Sequence, residues 1–153
     1  MQVCIRSDHE SAGWGMSQIV RFGVSLDRRL LDKFDRLIQK RSYTNRSEAL
    51  RDLIRQELIK EEWEQGQEVA GAITYIYDHH QRDLLNKLTR LQHDHQPIIL
   101  STQHIHLDHD NCLEIVAVKG KADAVQDLAF ALRSIKGVRH GTLSMTSTGK
   151  AIE

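Results

Sequence analysis

From Val20 to Leu26 apolar and polar positions alternate without a break. Val20, Phe22, Val24 and Leu26 share one face and Arg21, Gly23 and Ser25 the other, the pattern of a strand covered on one side. Asp27 follows, and Leu30, Leu31, Phe34, Leu37 and Ile38 recur at helical spacing until about residues 40–43. A second helix opens at Asn45-Arg46-Ser47-Glu48, with Asn45 as N-cap and Glu48 as its capping-box partner. Ala49, Leu50, Leu53, Ile54, Leu58 and Ile59 carry it to about Trp63. One strand cannot satisfy its own backbone groups, so this segment must pair with its copy in a second chain.

After a short polar linker at 64–68 the pattern changes. Strands are expected at Gly71–Tyr77, Ile98–Asp108, Cys112–Lys119 and Val138–Thr146, with helices from Gln81 to about Leu91 and from Ala122 to Ile135. Pro97 stands at the start of a strand and Gly137 at the end of a helix, where each is tolerated best. The order βαββαβ is that of a ferredoxin-like split βαβ domain, so the fold class is α+β.

The chain has 153 residues, no apolar run of transmembrane length and no signal-peptide pattern, which predicts a soluble cytoplasmic protein. Its zero formal charge hides an asymmetry: residues 16–60 hold 11 Lys and Arg against 6 Asp and Glu, residues 61–153 hold 9 against 13. Eight of the nine histidines fall from His79 onward. A basic part followed by a histidine-rich part suggests a nucleic-acid module joined to a sensing module. The two cysteines, Cys4 and Cys112, are far apart and outside any CxxC spacing, which excludes a disulfide framework and a four-cysteine zinc site.

The chemistry concentrates in His104-Ile105-His106-Leu107-Asp108-His109-Asp110-Asn111-Cys112. On a strand, His104 and His106 share one face. The polar tetrapeptide 108–111 then turns the chain and brings Cys112 back beside them. Imidazole and thiolate together suit zinc, copper, nickel or iron, not calcium or magnesium.

Residues 20–63 resemble the ribbon-helix-helix family of bacterial repressors, in which the polar face of a two-stranded ribbon enters the major groove. Joined to the histidine-bearing domain, they make residues 17–146 similar to the NikR family of nickel-responsive transcriptional regulators. The markers are Arg21-Phe22-Gly23-Val24-Ser25-Leu26, Asn45-Arg46-Ser47-Glu48-Ala49-Leu50-Arg51-Asp52, Tyr75-Ile76-Tyr77, Gln92-His93, His104-Ile105-His106, His109-Asp110-Asn111-Cys112-Leu113-Glu114 and Gly137-Val138-Arg139-His140-Gly141. The resemblance implies a non-enzymatic repressor of nickel-uptake genes that binds double-stranded operator DNA. It also implies a homotetramer, built as a dimer of dimers, around ACT-like sensing domains at 69–148, with ribbon-helix-helix domains at 17–63; residues 1–16 fall outside the family pattern and read as a flexible or over-called N-terminal extension.

The same resemblance implies a planar nickel(II) site of His104, His106 and Cys112 with His93 from a neighbouring subunit, supported by Tyr75, Tyr77 and Glu114. It implies base reading by Arg21, Gly23 and Ser25, phosphate contacts by Asn45 and Arg46, and a potassium ion at Glu48 and Asp52. His79, His80 and His95 are candidates for additional metal, and His109 lies in the turn. Three rivals use the same residues. A thiol enzyme would take Cys112 as nucleophile but lacks a glycine-rich oxyanion turn. A metal-storage or trafficking protein would not need Arg21 and Ser25. An ACT-type amino-acid sensor would leave the histidines unexplained. The alternatives to the nickel reading are a metal-storage or trafficking protein, or a ribbon-helix-helix regulator responding to another metal.

Overall fold

The computed structural model describes residues 19–150 and Ile152, so the extension expected at 1–16 lies outside the described residues. The chain divides into two compact units, Met1–Leu50 and Arg51–Glu153.

In the first unit, residues 19–27 carry no regular structure and join no ladder among the described residues. The strand expected at 20–26 is therefore not formed within one chain. A ladder needs a second strand, and none of the described residues supplies it. Val20, Phe22 and Val24 stand exposed, at 67%, 56% and 55% of their full area. Helix α1 (Arg28–Lys40) begins where Asp27 accepts a hydrogen bond from the Leu30 amide, 3.0 Å. After a turn with Ser42 at a positive φ of 56°, helix α2 (Arg46–Glu64) opens with the Asn45 side chain accepting from the Glu48 amide, 2.9 Å. That half of the expected capping box is formed. The Glu48 carboxylate, however, accepts a short hydrogen bond from the Thr44 hydroxyl.

The second unit takes in the rest of α2, then β1 (Glu68–Asp78), α3 (Arg82–Asp94), a 3-10 turn (Gln96–Ile98), β2 (Ile99–His106), β3 (Asn111–Lys121), α4 (Ala122–Ser134) and β4 (Val138–Thr146). All neighbouring strands run antiparallel in the order β2-β3-β1-β4, the sheet order of the ferredoxin-like fold. Leu84 and Leu88 from α3 join Val125, Leu128, Ala129 and Leu132 from α4 over Val69, Ile73, Val116 and Val118 of the two central strands. Trp63 closes one end of this core, its indole N–H donating to the Thr146 carbonyl at 3.0 Å. The elements differ from expectation mainly at their ends. Helix α3 runs on to Asp94, β2 starts after the 3-10 turn and stops at His106, and β1 starts at Glu68, so only a tight turn separates it from α2.

Gly137 links α4 to β4 at a φ of +110°, and a Cβ there would lie 2.8 Å from Leu84 Cδ2. Gly149 has a φ of +88° but open space around it. Backbone strain of roughly 1–2 kcal/mol is expected for alanine at either position. Gly137→Ala should lose that and more, because Leu84 must also move. Urea unfolding should show a clearly larger loss for Gly137→Ala than for Gly149→Ala, and equal losses would contradict this packing.

Candidate metal centre

Strand register builds the centre. His106 pairs with Cys112 and Cys112 with Tyr77, so the three stand in one row across β2, β3 and β1. One step along, His104 pairs with Glu114 and Glu114 with Tyr75. Residues two apart on a strand share a face, and here it is the face under the helices: Cys112, Tyr75 and Tyr77 are buried, and Glu114 is 6% exposed.

The Cys112 sulfur lies 3.2 Å from His106 Nδ1 and 3.2 Å from His79 Nδ1. These three side chains can place one donor atom each within 4.8 Å of one another. For zinc or nickel at ordinary bond lengths, sulfur and nitrogen donors on one ion stand about 3.1 to 3.6 Å apart, from right-angle to tetrahedral arrangements. The observed spacing falls inside that range, so the donor set fits a borderline transition metal. Of the expected ligands, His106 and Cys112 are brought together. His104 is next to them, its ring 4.8 Å from that of His106, but its Nδ1 faces the Tyr77 hydroxyl at 3.0 Å. His93 lies in the last turn of α3, lining an open cavity with Asn86, Thr89, Arg90 and Asp94.

Around His104 the supporting positions form a hydrogen-bonded net. The Tyr77 hydroxyl donates to Glu114 Oε2 at 2.8 Å, and the Gln92 amide donates to Glu114 Oε1 and to the Tyr75 hydroxyl. Gln92 in turn accepts from the Thr102 hydroxyl at 3.1 Å. The buried carboxylate is thus satisfied on both oxygens, as burial demands. Through Gln92, the residue before His93 is tied to the residue that pairs with His104.

Burial, helped by the Asp108, Glu114 and Asp78 carboxylates, pushes the Cys112 thiol above its ordinary range. Partial desolvation and the neighbouring His80 and His106 lower His79, so its ring is neutral and ready to donate a lone pair. Burial first and the Glu114 charge next hold the Tyr75 phenol far above its ordinary value, and Tyr77 is raised by burial and by its bond to Glu114. Both tyrosines therefore stay protonated and act as hydrogen-bonding groups.

Sequence reasoning gave His79 only a subsidiary part and gave Gln92 no role beyond its place in the Gln92-His93 marker. The signal for His79 was its parity: 75, 77 and 79 are two apart, and the face that buries the tyrosines continues to it. Beyond that marker, nothing in the helical pattern distinguishes Gln92 from a solvated helix residue, so its bonds to Glu114 and Tyr75 were not foreseen. His95 caps α3 through the Leu91 carbonyl, 2.9 Å from its Nδ1.

Among the DNA-reading candidates, Arg21, Gly23 and Ser25 lie in the exposed segment 19–27. Asn45 caps α2, and Arg46 holds a two-bond ion pair with Asp35 at 2.8 and 2.7 Å. That bond lowers Asp35 and raises Arg46. Glu48 accepts from Thr44, and Asp52 accepts from Gln56 at 2.7 Å.

Residues 70–146 match the family model described as the NikR C terminal nickel binding domain, and residues 20–61 that of the ribbon-helix-helix protein, copG family. A protein of Syntrophus aciditrophicus (strain SB) named "Putative nickel-responsive regulator" is 70% identical over 135 residues, covering 88% of this chain and 98% of the relative. One of the same name from Chlorobium limicola (strain DSM 245 / NBRC 103803 / 6330) is 56% identical over 134 residues, covering 88% and 100%. A third, from Nitratidesulfovibrio vulgaris (strain DP4), is 54% identical over 136 residues, covering 88% and 98%.

A thiol raised above its ordinary range is protonated at neutral pH, and a metal that binds its sulfur must displace that proton. Metal affinity should therefore rise with pH across the neutral range, by up to about tenfold per pH unit for one released proton. Competition titrations at pH 6.5 and 7.5 should show this slope, and Cys112→Ser should lessen it and remove the thiolate-to-metal absorption. A pH-independent affinity would mean that Cys112 is not a ligand.

Proposed function

The chain belongs to the NikR family of nickel-responsive regulators, and from that premise we propose that it is a DNA-binding repressor of nickel-uptake genes whose operator affinity nickel(II) controls. The observation that carries the metal half is the row of His106, Cys112 and Tyr77, with His104 on the same covered face. His104, His106 and Cys112 supply two imidazoles and a thiolate from one chain, and His93 of another copy completes the set. Bound there, nickel(II) supplies a cross-link between subunits. A planar arrangement of four such donors suits nickel(II) and copper(II) and disfavours zinc.

The chain's own residues do the rest. Tyr77 and Glu114 orient the His104 ring, which fixes the nitrogen it presents. Gln92 holds the end of α3 to the same carboxylate and so sets the position from which His93 reaches outward.

The exposed alternation at 20–26 supports the DNA half. Two copies pairing this segment make a ribbon with Val20, Phe22, Val24 and Leu26 inward and Arg21, Gly23 and Ser25 outward. Arg21 offers the two-pronged contact that recognises guanine, and Ser25 a single adaptable bond. Gly23 carries no side chain and lets the backbone approach the bases. Asn45 and Arg46 contact phosphate, which fixes position without reading sequence; Arg46 shares itself between phosphate and Asp35. The functional units of this reading are residues 17–63 and 69–148, in a homotetramer, with potassium held at Glu48 and Asp52. No helix of the described residues is long and apolar enough to cross a membrane.

A second reading has one observation in its favour. His79, His106 and Cys112 offer three donors within a single chain, which with water as a fourth ligand suits a regulator that answers to a tetrahedral metal such as zinc.

Linkage separates the two. If nickel tightens operator binding, operator must tighten nickel binding by the same factor. Titration of operator DNA at fixed salt, with the protein metal-free, zinc-loaded and nickel-loaded, should show strong coupling for nickel and weak coupling for zinc. Coupling by zinc that His79→Ala abolishes would establish the second reading. Arg21→Ala should lose about 1–3 kcal/mol on operator and relax sequence preference. Equal losses on operator and random DNA would contradict the ribbon.

A further inference from the structure

Arg139 stands at a break in the sheet. Where β4 meets β1, His140 pairs with Ile76 but Val138 pairs with Tyr77, so Arg139 is the extra residue of a β-bulge and has no ladder partner in β1. A bulge re-aims the side chain it carries. Here the guanidinium reaches past the end of β1, and Arg139 Nη1 donates a short hydrogen bond to Asn111 Oδ1 on β3, one strand further on. Asn111 directly precedes Cys112 and closes the β2–β3 hairpin. Its carbonyl accepts from the Leu107 amide at 2.9 Å, and its side-chain amide donates to Asp108 Oδ1 and Oδ2 at 2.9 and 2.8 Å. Asp108 Oδ1 also accepts from the amides of Asp110 and Asn111 at 2.9 and 2.7 Å.

We propose that Arg139 is a positioning residue for the candidate metal centre: a clamp that acts through Asn111 to keep the hairpin shut, and so holds His106 beside Cys112. This rests on the metal reading above and applies to both of its donor sets, since each contains His106 and Cys112. Topology supplies the need for a clamp. Strand β2 lies at the edge of the sheet and is paired to β3 alone among the described residues, so the strand that carries His104 and His106 is the one most easily frayed. The bonds of the turn itself run only within residues 107–111. Arg139 ties that turn to β4, at the opposite edge of the sheet.

Asn111 is suited to pass the restraint on. Both of its amide protons' partners lie on Asp108, which leaves Oδ1 to accept from the guanidinium, so one side chain joins the turn to Arg139. The sulfur that follows it in sequence lies 3.2 Å from His106 Nδ1 across the same hairpin. Charge and clamp predict opposite signs. Removing a positive charge from the neighbourhood of a dication would by charge alone hold the metal more tightly. Removing a clamp releases it faster.

The test follows the thiolate-to-nickel absorption as the nickel-loaded full chain is placed in excess EDTA. R139M should lose nickel about three- to tenfold faster than wild type, the order expected for one hydrogen bond from a charged donor, with the band of the loaded protein unchanged in position. R139K, which keeps the charge and a donor, should fall between the two. N111A should match R139M, and the double variant R139M/N111A should be no faster than N111A, because the two residues act along one path. Should R139M fail to fold, R139K takes its place in the same cycle. A wild type without the band would overturn the metal reading itself. With the band present, an R139M that loses nickel no faster than wild type would overturn the clamp, even if urea unfolds it earlier. Effects of R139M and N111A that multiply in the double variant would overturn it as well.

Discussion

The antiparallel ladder between β1 and β3 is the constraint on which the candidate metal centre depends. It sets Tyr77 opposite Cys112 and Tyr75 opposite Glu114, and β2 then has to place His106 and His104 at the same two levels. Sheet side chains have a period of two, so a slip of one residue in either pairing would turn the candidate donors of the slipped strand to the open face. The packing that forbids such a slip lies elsewhere in the same strands, at Val69, Ile73, Val116 and Val118 under α3 and α4. The geometry of the donors is in this sense fixed by aliphatic residues that never approach a metal.

Glu114 shows how polar chemistry is carried inside that frame. A carboxylate at this depth is costly unless each oxygen is bonded. Tyr77 occupies one oxygen and Gln92 the other, and both partners touch something else of consequence: Tyr77 the ring of His104, Gln92 the helix end that bears His93. A change at any member leaves a buried acceptor or donor unsatisfied, so the net responds as a unit.

Much of this was legible in the sequence because it is periodic. The alternation that buries Val116 and Val118 also fixed the parity of Cys112 and Glu114, and the HxH spacing placed His104 and His106 on one face. The ends of α3 and β2 were not legible. Pro97 was compatible with a strand start, and the 3-10 turn that precedes β2 depends on packing over residues 96–98 rather than on local preference. His79 beside Cys112 was not legible as a contact either, since it needs the β1–β3 register, a pairing between residues 33 apart in sequence. The segment 20–26 is the reverse case. Its pattern announces a strand, yet no strand among the described residues pairs with it, and its apolar side chains stand exposed.

The enclosed, protonated state of Cys112 has a bearing on redox chemistry. Thiolates react with peroxides and disulfides, whereas buried thiols react little. If Cys112 is a metal ligand, its sulfur would become a thiolate only on binding the metal and would until then be withheld from oxidants. The same burial that would make the metal displace a proton would then shelter the sulfur under oxidative load.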